Sequence, residues 1–299
     1  MKILVTGGTV FVSRFVASYF INKDYEVYVL NRNTKSQVDG VNLICADRNN
    51  LKDTLKSYSF DAVIDVCGYN KMDIENLLNG LNPVEKYVFI SSSSVYPETN
   101  VQPFKENQPI GKNSIWGDYG FNKAQAEQYL LSRYPNAYIL RPPYLYGPMQ
   151  NLYREPFIFD CALLNRKFYI PKDGSMKLQF FHVEDLCKII EIILEKTPKE
   201  HILNVGNNDI IDINTFVEMC YQVVGSKLEK VYINNHDNQR DYFSFYDYEY
   251  ILDVSKQNEI LSNTINLKDG LKQSFDWYIN HKDGVIKKDY IKFIDENFI

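Results

Sequence analysis

The chain has 299 residues, more than the roughly 100 to 200 of a typical single domain, and leaves room for two subdomains around a sizeable core. Its hydrophobic fraction of 45% and charged fraction of 24% are those of ordinary globular proteins, which excludes disordered, collagen-like and coiled-coil classes. The formal net charge of −5 disfavours binding to a nucleic-acid backbone, because proteins that bind it carry a basic face.

The cysteines are odd in number, widely spaced and set in mainly apolar stretches, so we expect reduced core residues rather than disulfides. They are Cys45, Cys67, Cys161, Cys187 and Cys220. With four histidines and no CxxC or HExxH spacing, the sequence predicts no metal site. No apolar run has the length of a membrane span or the pattern of a signal peptide, so we expect a cytoplasmic protein without membrane contact.

Short β-branched segments alternate with longer amphipathic segments over the first 140 residues, a pattern typical of a parallel sheet with helical crossovers. Strands are predicted at residues 3–5, 26–30, 41–45, 62–66, 87–91 and 138–140. Six parallel strands predict an α/β fold of the Rossmann type, with a doubly wound parallel sheet.

The composition changes after residue 143, where two prolines and a glycine occur within residues 144–156. Beyond this point we predict helices near residues 157–165, 183–195, 215–224 and 267–278, and a strand at residues 202–205. The densely aromatic segment 242–250 (YFSFYDYEY) is interpreted as a partly buried strand. The change in composition indicates a second, smaller region.

The segment TGGTVFVS at residues 6–13 joins the first strand to the first helix, where dinucleotide-binding folds place a glycine-rich phosphate loop. The three glycine positions of that loop hold Gly7, Val10 and Ser13. The branched side chain of Val10 stands where a phosphate would approach, so the diphosphate must shift or bind more weakly. A plain strand-to-helix turn is the alternative interpretation.

The second strand ends in Asn31 and Arg32, where these folds place an acid for a ribose hydroxyl or a basic group for a 2′-phosphate. Arg32 without an acid favours NADP over NAD, although Asn31 could serve a hydroxyl and Arg32 could be solvated. Asp47 follows the third strand and is predicted either to bind the adenine amino group or to cap a turn.

Tyr119 and Lys123 are four residues apart and therefore share one helix face. The same spacing occurs at residues 19–23 and 278–282, but only Tyr119 follows a strand that ends in a run of serines. A nearby ammonium favours the phenolate, so Tyr119 could remove a hydroxyl proton while Ser92 hydrogen-bonds the developing carbonyl. The alternative makes the serine run a polar strand end.

These motifs recur in an order that resembles the extended short-chain dehydrogenase/reductase superfamily, and within it the NAD-dependent epimerase/dehydratase family. The resemblance rests on the glycine loop and on the segments 90–96 (ISSSSVY), 119–123 (YGFNK), 141–143 (RPP), 146–148 (YGP), 181–186 (FHVEDL), 252–256 (LDVSK), 270–271 and 277–278. It implies a Rossmann domain at residues 1–148, to which a stretch near 178–206 returns, and a smaller substrate-binding region at residues 149–299.

The resemblance implies an enzyme that transfers hydride between NAD(P) and a small hydroxylated substrate, with a nucleotide sugar as the leading choice. The reaction could be an epimerisation, a dehydration or a reduction. The implied catalytic residues are Ser92, Tyr119 and Lys123; the cofactor-binding residues are Gly7, Gly8, Thr9, Val10, Phe11, Val12, Asn31, Arg32, Asp47, Cys67, Gly68, Lys123, Pro143 and Tyr144; the substrate residues are Ser93, Ser94, Arg154 and Arg240. A homodimer formed through helices is also implied.

Two departures from the family pattern support a second hypothesis. The glycine loop is similar to an atypical branch that includes chloroplast stem-loop RNA-binding proteins, and Leu178 and Gln179 replace an Arg-Asp pair. The alternative is therefore a non-catalytic cofactor sensor or RNA-associated protein, which the acidic net charge disfavours in its RNA form. For Arg154 and Arg240, a solvated loop position and a surface salt bridge are the respective alternatives, and His182 is interpreted as structural.

Overall fold

The computed structural model describes all 299 residues and contains twelve strands and nine α-helices. The strands are β1 (Lys2–Thr6), β2 (Glu26–Asn31), β3 (Asn42–Cys45), β4 (Ala62–Asp65), β5 (Lys86–Ile90), β6 (Tyr138–Arg141), β7 (Tyr144–Tyr146), β8 (Phe168–Pro171), β9 (Lys177–His182), β10 (Ile202–Asn204), β11 (Ile210–Asp212) and β12 (Lys230–Ile233). The helices are α1 (Phe11–Ile21), α2 (Lys71–Gly80), α3 (Asp118–Arg133), α4 (Glu155–Leu163), α5 (Val183–Lys196), α6 (Ile213–Val224), α7 (Ser255–Asn258), α8 (Leu267–Asn280) and α9 (Tyr290–Asn297).

Seven parallel strands form the central sheet, in the order β10-β6-β5-β4-β1-β2-β3. This confirms the predicted Rossmann-type fold, and each of the six strands predicted from the first half of the chain lies in the sheet. The seventh strand, β10, comes from the second half of the chain and pairs with β6. The strand order reverses between β1 and β4, so a crevice for a ligand is expected at their carboxyl ends.

Side chains that alternate along the strands build two hydrophobic layers, one on each face of the sheet. Ile3 and Val5 of β1 contact α1 and α5, whereas Leu4 between them belongs to the opposite layer, with α2 and α3. The helices bury single apolar stripes, such as Val16 and Phe20 of α1. This packing holds α3, the predicted catalytic helix, against the sheet.

The rest of the chain has a core of its own, rich in aromatic side chains, beyond the carboxyl ends of the central strands. It contains a three-stranded sheet (β11-β9-β7), a two-stranded sheet (β12-β8), and the helices α4, α6 and α8. The predicted strand at residues 242–250 is wrong. Four consecutive side chains at residues 242–245 are buried, so the segment lacks the alternating faces of a strand and follows an irregular path through the core.

The prediction for the cysteines is partly wrong. All five are free, and Cys161, Cys187 and Cys220 are buried, but Cys45 is exposed and Cys67 is half-buried. Cys45 is the last residue of β3, and Cys67 follows the end of β4. Both therefore lie at strand ends, where side chains are no longer covered by the hydrophobic layers. None of the helices combines the length and apolar character needed to cross a membrane.

Candidate active site

A cleft of about 690 Å³ lies between the carboxyl ends of the central strands and the C-terminal region. One wall is the glycine loop at residues 7–13, and the floor contains residues 90–93 at the end of β5. The opposite wall comes from the start of α3 and from segments near residues 142–154 and 246–250. The topology therefore brings the predicted cofactor and catalytic motifs into one space.

The glycine loop reverses the chain between β1 and α1 with two residues of positive φ, Gly7 (+91°) and Gly8 (+89°). Side chains at these positions would be strained, and a Cβ at Gly8 would lie 2.6 Å from Val29. Val10 is extended (φ −137°), and the turn into the helix falls on Phe11 at φ +31°, a strained conformation for a bulky residue. The loop therefore forms with valine at position 10, and its strained residue is Phe11.

The amino terminus of α1 remains open to the cleft. Val10 provides no side-chain cap, and the backbone amides of residues 9–13 donate no hydrogen bond within the protein. Free amides at the positive end of a helix are a favourable site for a phosphate group. The loop thus keeps the main feature that a dinucleotide diphosphate needs, although its second and third glycines are absent.

The side chain of Asn31, at the end of β2, is not free for the ribose-binding role considered for it. The Asn31 amide donates to the Gly7 carbonyl (2.6 Å) and to Gln37 (3.0 Å), and its oxygen accepts from the Asn33 amide (2.8 Å) and from Gln37 (3.2 Å). All of its hydrogen-bonding capacity is used to close the loop. Arg32 is exposed beside it and is free to meet a ligand.

The three predicted catalytic residues all line the cleft. The Ser92 hydroxyl accepts a hydrogen bond from the Ser94 amide (3.2 Å). Tyr119 lies in the first turn of α3 and exposes 42% of its surface, whereas Lys123 is 3% exposed and donates to the Ile90 carbonyl at 2.8 Å. The phenol is therefore accessible from the cleft, while the ammonium lies beneath it against the sheet.

A buried ion pair fixes α3 relative to the serine run. Glu127, one turn after Lys123, binds the Arg141 guanidinium at the end of β6 with an N–O distance of 2.6 Å. It also accepts a hydrogen bond from the Ser91 hydroxyl at 2.5 Å. Because Ser91 immediately precedes Ser92, this network couples the helix of Tyr119 to the strand end that carries Ser92.

Burial shifts the pKa of both ionisable catalytic groups. It raises the pKa of the Tyr119 phenol, and the Ser92 side chain and the positive charge of Arg154 act in the opposite direction. Burial lowers the pKa of the Lys123 ammonium to about 8, because nearby carboxylates compensate only in part. Lys123 therefore loses its charge within the weakly alkaline range.

The predicted residues divide into two groups. Those that line the cleft are Gly7, Thr9, Val10, Phe11, Val12, Cys67, Ser92, Ser93, Tyr119, Lys123, Pro143, Tyr144 and Arg154. Those that do not line it are Gly8, Asn31, Arg32, Asp47, Gly68, Ser94 and Arg240. Asp47 caps a short 3₁₀ helix by accepting from the Asn49 amide, and Gly68 packs against Ile74 and Phe89. The cleft therefore brings together 13 of the predicted residues, including all three catalytic candidates.

The two candidate substrate arginines lie near each other and form no ion pair within 4 Å. Arg154 donates to the Leu145 carbonyl (3.2 Å), and its guanidinium lies 5.1 Å from the Tyr144 ring. Arg240 donates to the Ser244 carbonyl and lies 4.6 Å from the Tyr246 ring. The surface salt bridge considered for Arg240 is absent, and its neighbour Asp241 contacts His236 at 2.8 Å instead.

Sequence reasoning missed an aromatic wall of the cleft. Trp116, three residues before Tyr119, packs at a steep angle against Tyr246 (ring centroids 4.5 Å apart) and Tyr250 (5.8 Å). It also lies between Tyr119 (6.5 Å) and Tyr144 (6.1 Å). The aromatic density of residues 242–250 is the sequence signal for this wall, but it does not distinguish a cleft wall from a partly buried strand.

No carboxylate or imidazole side chain lines the cleft. None of its 25 lining residues is Asp, Glu or His. Its ionisable groups are the tyrosines, Cys67, Lys123 and Arg154. No group of three or more His, Cys, Asp or Glu residues that could hold a metal occurs in the protein.

Comparison with known proteins places this geometry in context. The model of the family described as "NAD dependent epimerase/dehydratase family" matches residues 3–77 and 72–206. In sequence, the chain is 25% identical to the chloroplast stem-loop binding protein of 41 kDa b from Arabidopsis thaliana, over 92% of this chain and 78% of that protein.

Two solved structures share the fold. One is UDP-glucose 4-epimerase from Thermotoga maritima with UDP-glucose, which has a TM-score of 0.76 and 20% identity and covers 94% of this chain and 99% of that one. The other is dTDP-glucose 4,6-dehydratase from Bacillus anthracis in complex with NAD, with a TM-score of 0.75 and 21% identity, covering 95% of this chain and 98% of that one.

Proposed function

The chain belongs to the NAD dependent epimerase/dehydratase family, and on that premise we propose that it is an NAD(P)-dependent epimerase or reductase acting on a nucleotide sugar. The observation that carries the proposal is the cleft itself, where an uncapped helix terminus, Ser92 and Tyr119 face one space. A binding protein without turnover would need the uncapped helix terminus but neither Ser92 nor Tyr119.

The residues present fit a nicotinamide dinucleotide. The free amides at the start of α1 suit its diphosphate, and Thr9, Val12 and Cys67 line the cleft beside them. At the end of β2, the fully engaged Asn31 and the exposed Arg32 favour a cofactor with a 2′-phosphate, that is NADP. When bound, the nicotinamide ring accepts a hydride from a carbinol carbon and can return it.

Tyr119 acts as the general base in this proposal. Its phenolate removes the proton of the reacting hydroxyl as the carbon–hydrogen bond breaks, and its phenol returns a proton when a carbonyl is reduced. Ser92 donates a hydrogen bond to the oxygen that becomes the carbonyl. Positioned proton transfer of this kind contributes roughly 10²- to 10⁴-fold to a rate.

The cleft favours hydride transfer alone over dehydration. Elimination of water requires a general acid for the leaving hydroxyl and a base for the neighbouring carbon, and His, Glu and Asp are the side chains that most often transfer such protons. Positions 93 and 94, beside Ser92, are serines, and no carboxylate lines the cleft. We therefore propose epimerisation or reduction, and not dehydration, as the reaction.

The substrate proposal rests on the charge and shape of the outer cleft. Arg154 lines the cleft, and Arg240 lies just outside the lining, over the ring of the lining residue Tyr246. Neither forms an ion pair within 4 Å, so both suit the diphosphate of a nucleotide sugar. The aromatic wall formed by Trp116, Tyr246 and Tyr250 offers flat apolar surface to a sugar or a base. The structural neighbour that binds UDP-glucose supports this choice of class.

The test is turnover of a panel of uridine, guanosine and thymidine diphosphate hexoses and their keto derivatives with NAD(P)⁺ or NAD(P)H. Product formation is followed by nuclear magnetic resonance, and cofactor oxidation state by absorbance at 340 nm. We expect wild type to convert at least one substrate, and Tyr119→Phe to lose about 10²-fold or more in kcat. An unchanged kcat in Tyr119→Phe would exclude the mechanism.

The stem-loop binding relative favours a second candidate, an RNA-associated protein that keeps the fold. A gel shift with stem-loop RNA distinguishes the two proposals. RNA binding that weakens with rising salt, together with no turnover of any substrate, would support this candidate over the enzyme.

A further inference from the structure

We propose that Trp116 is a specificity-determining residue, and that it selects a sugar with a methyl-bearing substituent, as in a 6-deoxyhexose or a 2-acetamidohexose. This inference rests on the proposed function and deepens it, because it concerns which nucleotide sugars the cleft accepts. It is carried by the position of the Trp116 indole beside Tyr119 and by the surface that the indole presents to the cleft.

Trp116 lies beside the reacting end of the proposed site. Its ring centroid is 6.5 Å from that of Tyr119, and both side chains line the cleft. A hydroxyl that transfers its proton to Tyr119 must approach the phenol within hydrogen-bonding distance. The substituents on the neighbouring carbons of a sugar ring then come within reach of the indole.

The backbone of Trp116 is fixed relative to the serine run. The Trp116 amide donates to Asn113 Oδ1 at 2.6 Å, and the side-chain amide of Asn113 donates to the Ser94 carbonyl. The Tyr119 amide donates in turn to the Trp116 carbonyl at 3.3 Å. Because Asn113 is buried, water does not compete for its bonds. The indole and the phenol therefore have a defined arrangement next to the end of β5.

Three tyrosine rings support the indole. Their centroids lie 4.5 Å (Tyr246), 5.8 Å (Tyr250) and 6.1 Å (Tyr144) from that of Trp116, and the ring planes are inclined by 58°, 70° and 55°. Aromatic side chains favour such inclined contacts. A ring that is held by several neighbours cannot turn to present a different atom to the cleft, so the indole is a rigid part of the wall.

The indole presents only carbon atoms to the cleft. Its one polar atom, Nε1 of Trp116, is buried, and so is the hydroxyl of the neighbouring Tyr144. A sugar hydroxyl placed against this surface would lose its hydrogen bonds to water without gaining others, which costs free energy. A methyl group in the same place is favoured, because its transfer out of water onto an apolar surface is favourable.

Two kinds of hexose bring a methyl group to such a surface. Loss of the hydroxyl at C6 leaves a methyl group on the ring, and an acetamido group at C2 ends in one. Both offer the same chemistry to Trp116, and matched ligands distinguish them.

The experiment measures the affinity of the protein, with NADP⁺ in excess, for glucose, 6-deoxyglucose and N-acetylglucosamine attached to the same nucleoside diphosphate. Uridine, guanosine and thymidine diphosphates serve in turn as the carrier. Calorimetric titration gives Kd for wild type, Trp116→Ala and Trp116→Phe, and the phenylalanine variant keeps a flat apolar ring. Trp277→Ala is the matched control, because Trp277 stacks on His281 and does not line the cleft.

We expect wild type to bind at least one of the two methyl-bearing sugars about 10-fold more tightly than the glucose derivative, since one methylene group in an apolar pocket changes discrimination roughly 10- to 200-fold. Trp116→Ala should lose this preference, whereas Trp116→Phe and Trp277→Ala should keep most of it. A preference for 6-deoxyglucose would assign C6 to the indole, and a preference for N-acetylglucosamine would assign the acetamido group to it.

Fluorescence gives a second measurement that needs no truncation of Trp116. In Trp277→Phe, Trp116 is the only tryptophan of the chain, so the emission reports on this wall alone. We expect the emission to change when a methyl-bearing ligand is added to the protein with NADP⁺. Binding detected by calorimetry without any change in emission would contradict contact with Trp116, even if Trp116→Ala does not fold.

The outcomes separate this inference from the proposed function. Equal affinities for the three sugars in wild type, or a preference that survives in Trp116→Ala, would overturn the role of Trp116 and leave a nucleotide sugar as the substrate. No binding of any of these ligands would contradict the proposed function itself, and the inference with it.

Discussion

Glu155 is 1% exposed, and neither of its carboxylate oxygens forms a hydrogen bond of normal geometry. Burial raises the pKa of this carboxyl from 4.5 to about 7, and the charge of Arg154 and the polar groups near Gly147 and Gln150 offset only part of that effect. The unfolded chain ionises at its ordinary value. The folded protein therefore binds the extra proton between about pH 4.5 and pH 7, and its free energy of unfolding falls as the pH rises through that window.

We expect Glu155→Gln to stabilise the protein at pH 8 and to have little effect at pH 4.5. Above pH 7 the wild type carries the full cost of a buried charge, up to about 3 kcal/mol, which the neutral amide avoids. Urea unfolding at both pH values measures the difference, with Glu296→Gln as an exposed control. An equal effect of Glu155→Gln at the two pH values would contradict the assignment of a buried, protonated carboxyl.

Single residues also show where sequence reasoning succeeds. The position of Ser92, Tyr119 and Lys123 in one cleft could be predicted, because their spacing and their position after strands are local properties of the chain. The hydrogen bonds that engage the Asn31 side chain could not be predicted, because they depend on a carbonyl 24 residues away and on the course of the following loop.

At the scale of elements, the placement of α3 decides the geometry of the site. The helix crosses the 3₁₀ turn at residues 93–95 so closely that a Cβ on Gly120 would lie 2.2 Å from the Ser94 carbonyl and 2.5 Å from the Asn113 amide. Such contact with backbone cannot be relieved by rotating a side chain. Gly120 is therefore required for the close approach of α3 to the 3₁₀ turn. It lies between Tyr119 and Lys123, the two residues of the helix that line the site.

We expect Gly120→Ala to push the start of α3 away from the serine run. The cost in stability should be on the order of 1 to 3 kcal/mol, as for other overpacked sites, and turnover should fall further because Tyr119 leaves Ser92. Gly111→Ala is the matched control, since nothing lies within 4 Å of its added Cβ. Unfolding free energies and kcat that match between the two variants would refute this view of α3.

The strands of the central sheet followed closely from periodicity, because their apolar patterns repeat over several pleats. The strand predicted at residues 242–250 failed, because aromatic density alone does not reveal whether side chains alternate between two faces. Four consecutive buried residues in this segment belong to an irregular crossing of the core. Local propensity was outweighed by tertiary packing.

For the molecule as a whole, function depends on two parts of the chain meeting across one cleft. The sheet contributes an uncapped helix terminus and the serine run, and the C-terminal region contributes Tyr246 and Tyr250. The sequence predicted the sheet side from its motifs. It could not predict that Tyr246 and Tyr250 face the cleft, because no short pattern indicates which loops of a second region do so.

The most direct test of this account is calorimetric titration of the purified protein with NADP⁺ and NAD⁺. Wild type should bind one cofactor per chain and should prefer NADP⁺ to NAD⁺. Arg32→Ala should abolish this preference, because the variant lacks the positive charge for the 2′-phosphate. Arg133→Ala, which removes another exposed arginine, should keep the preference. A preference for NAD⁺ would contradict the role of Arg32. No heat of binding with either cofactor at millimolar concentration, in a protein that is folded, would mean that Val10 closes the diphosphate site and that the proposed hydride transfer is wrong.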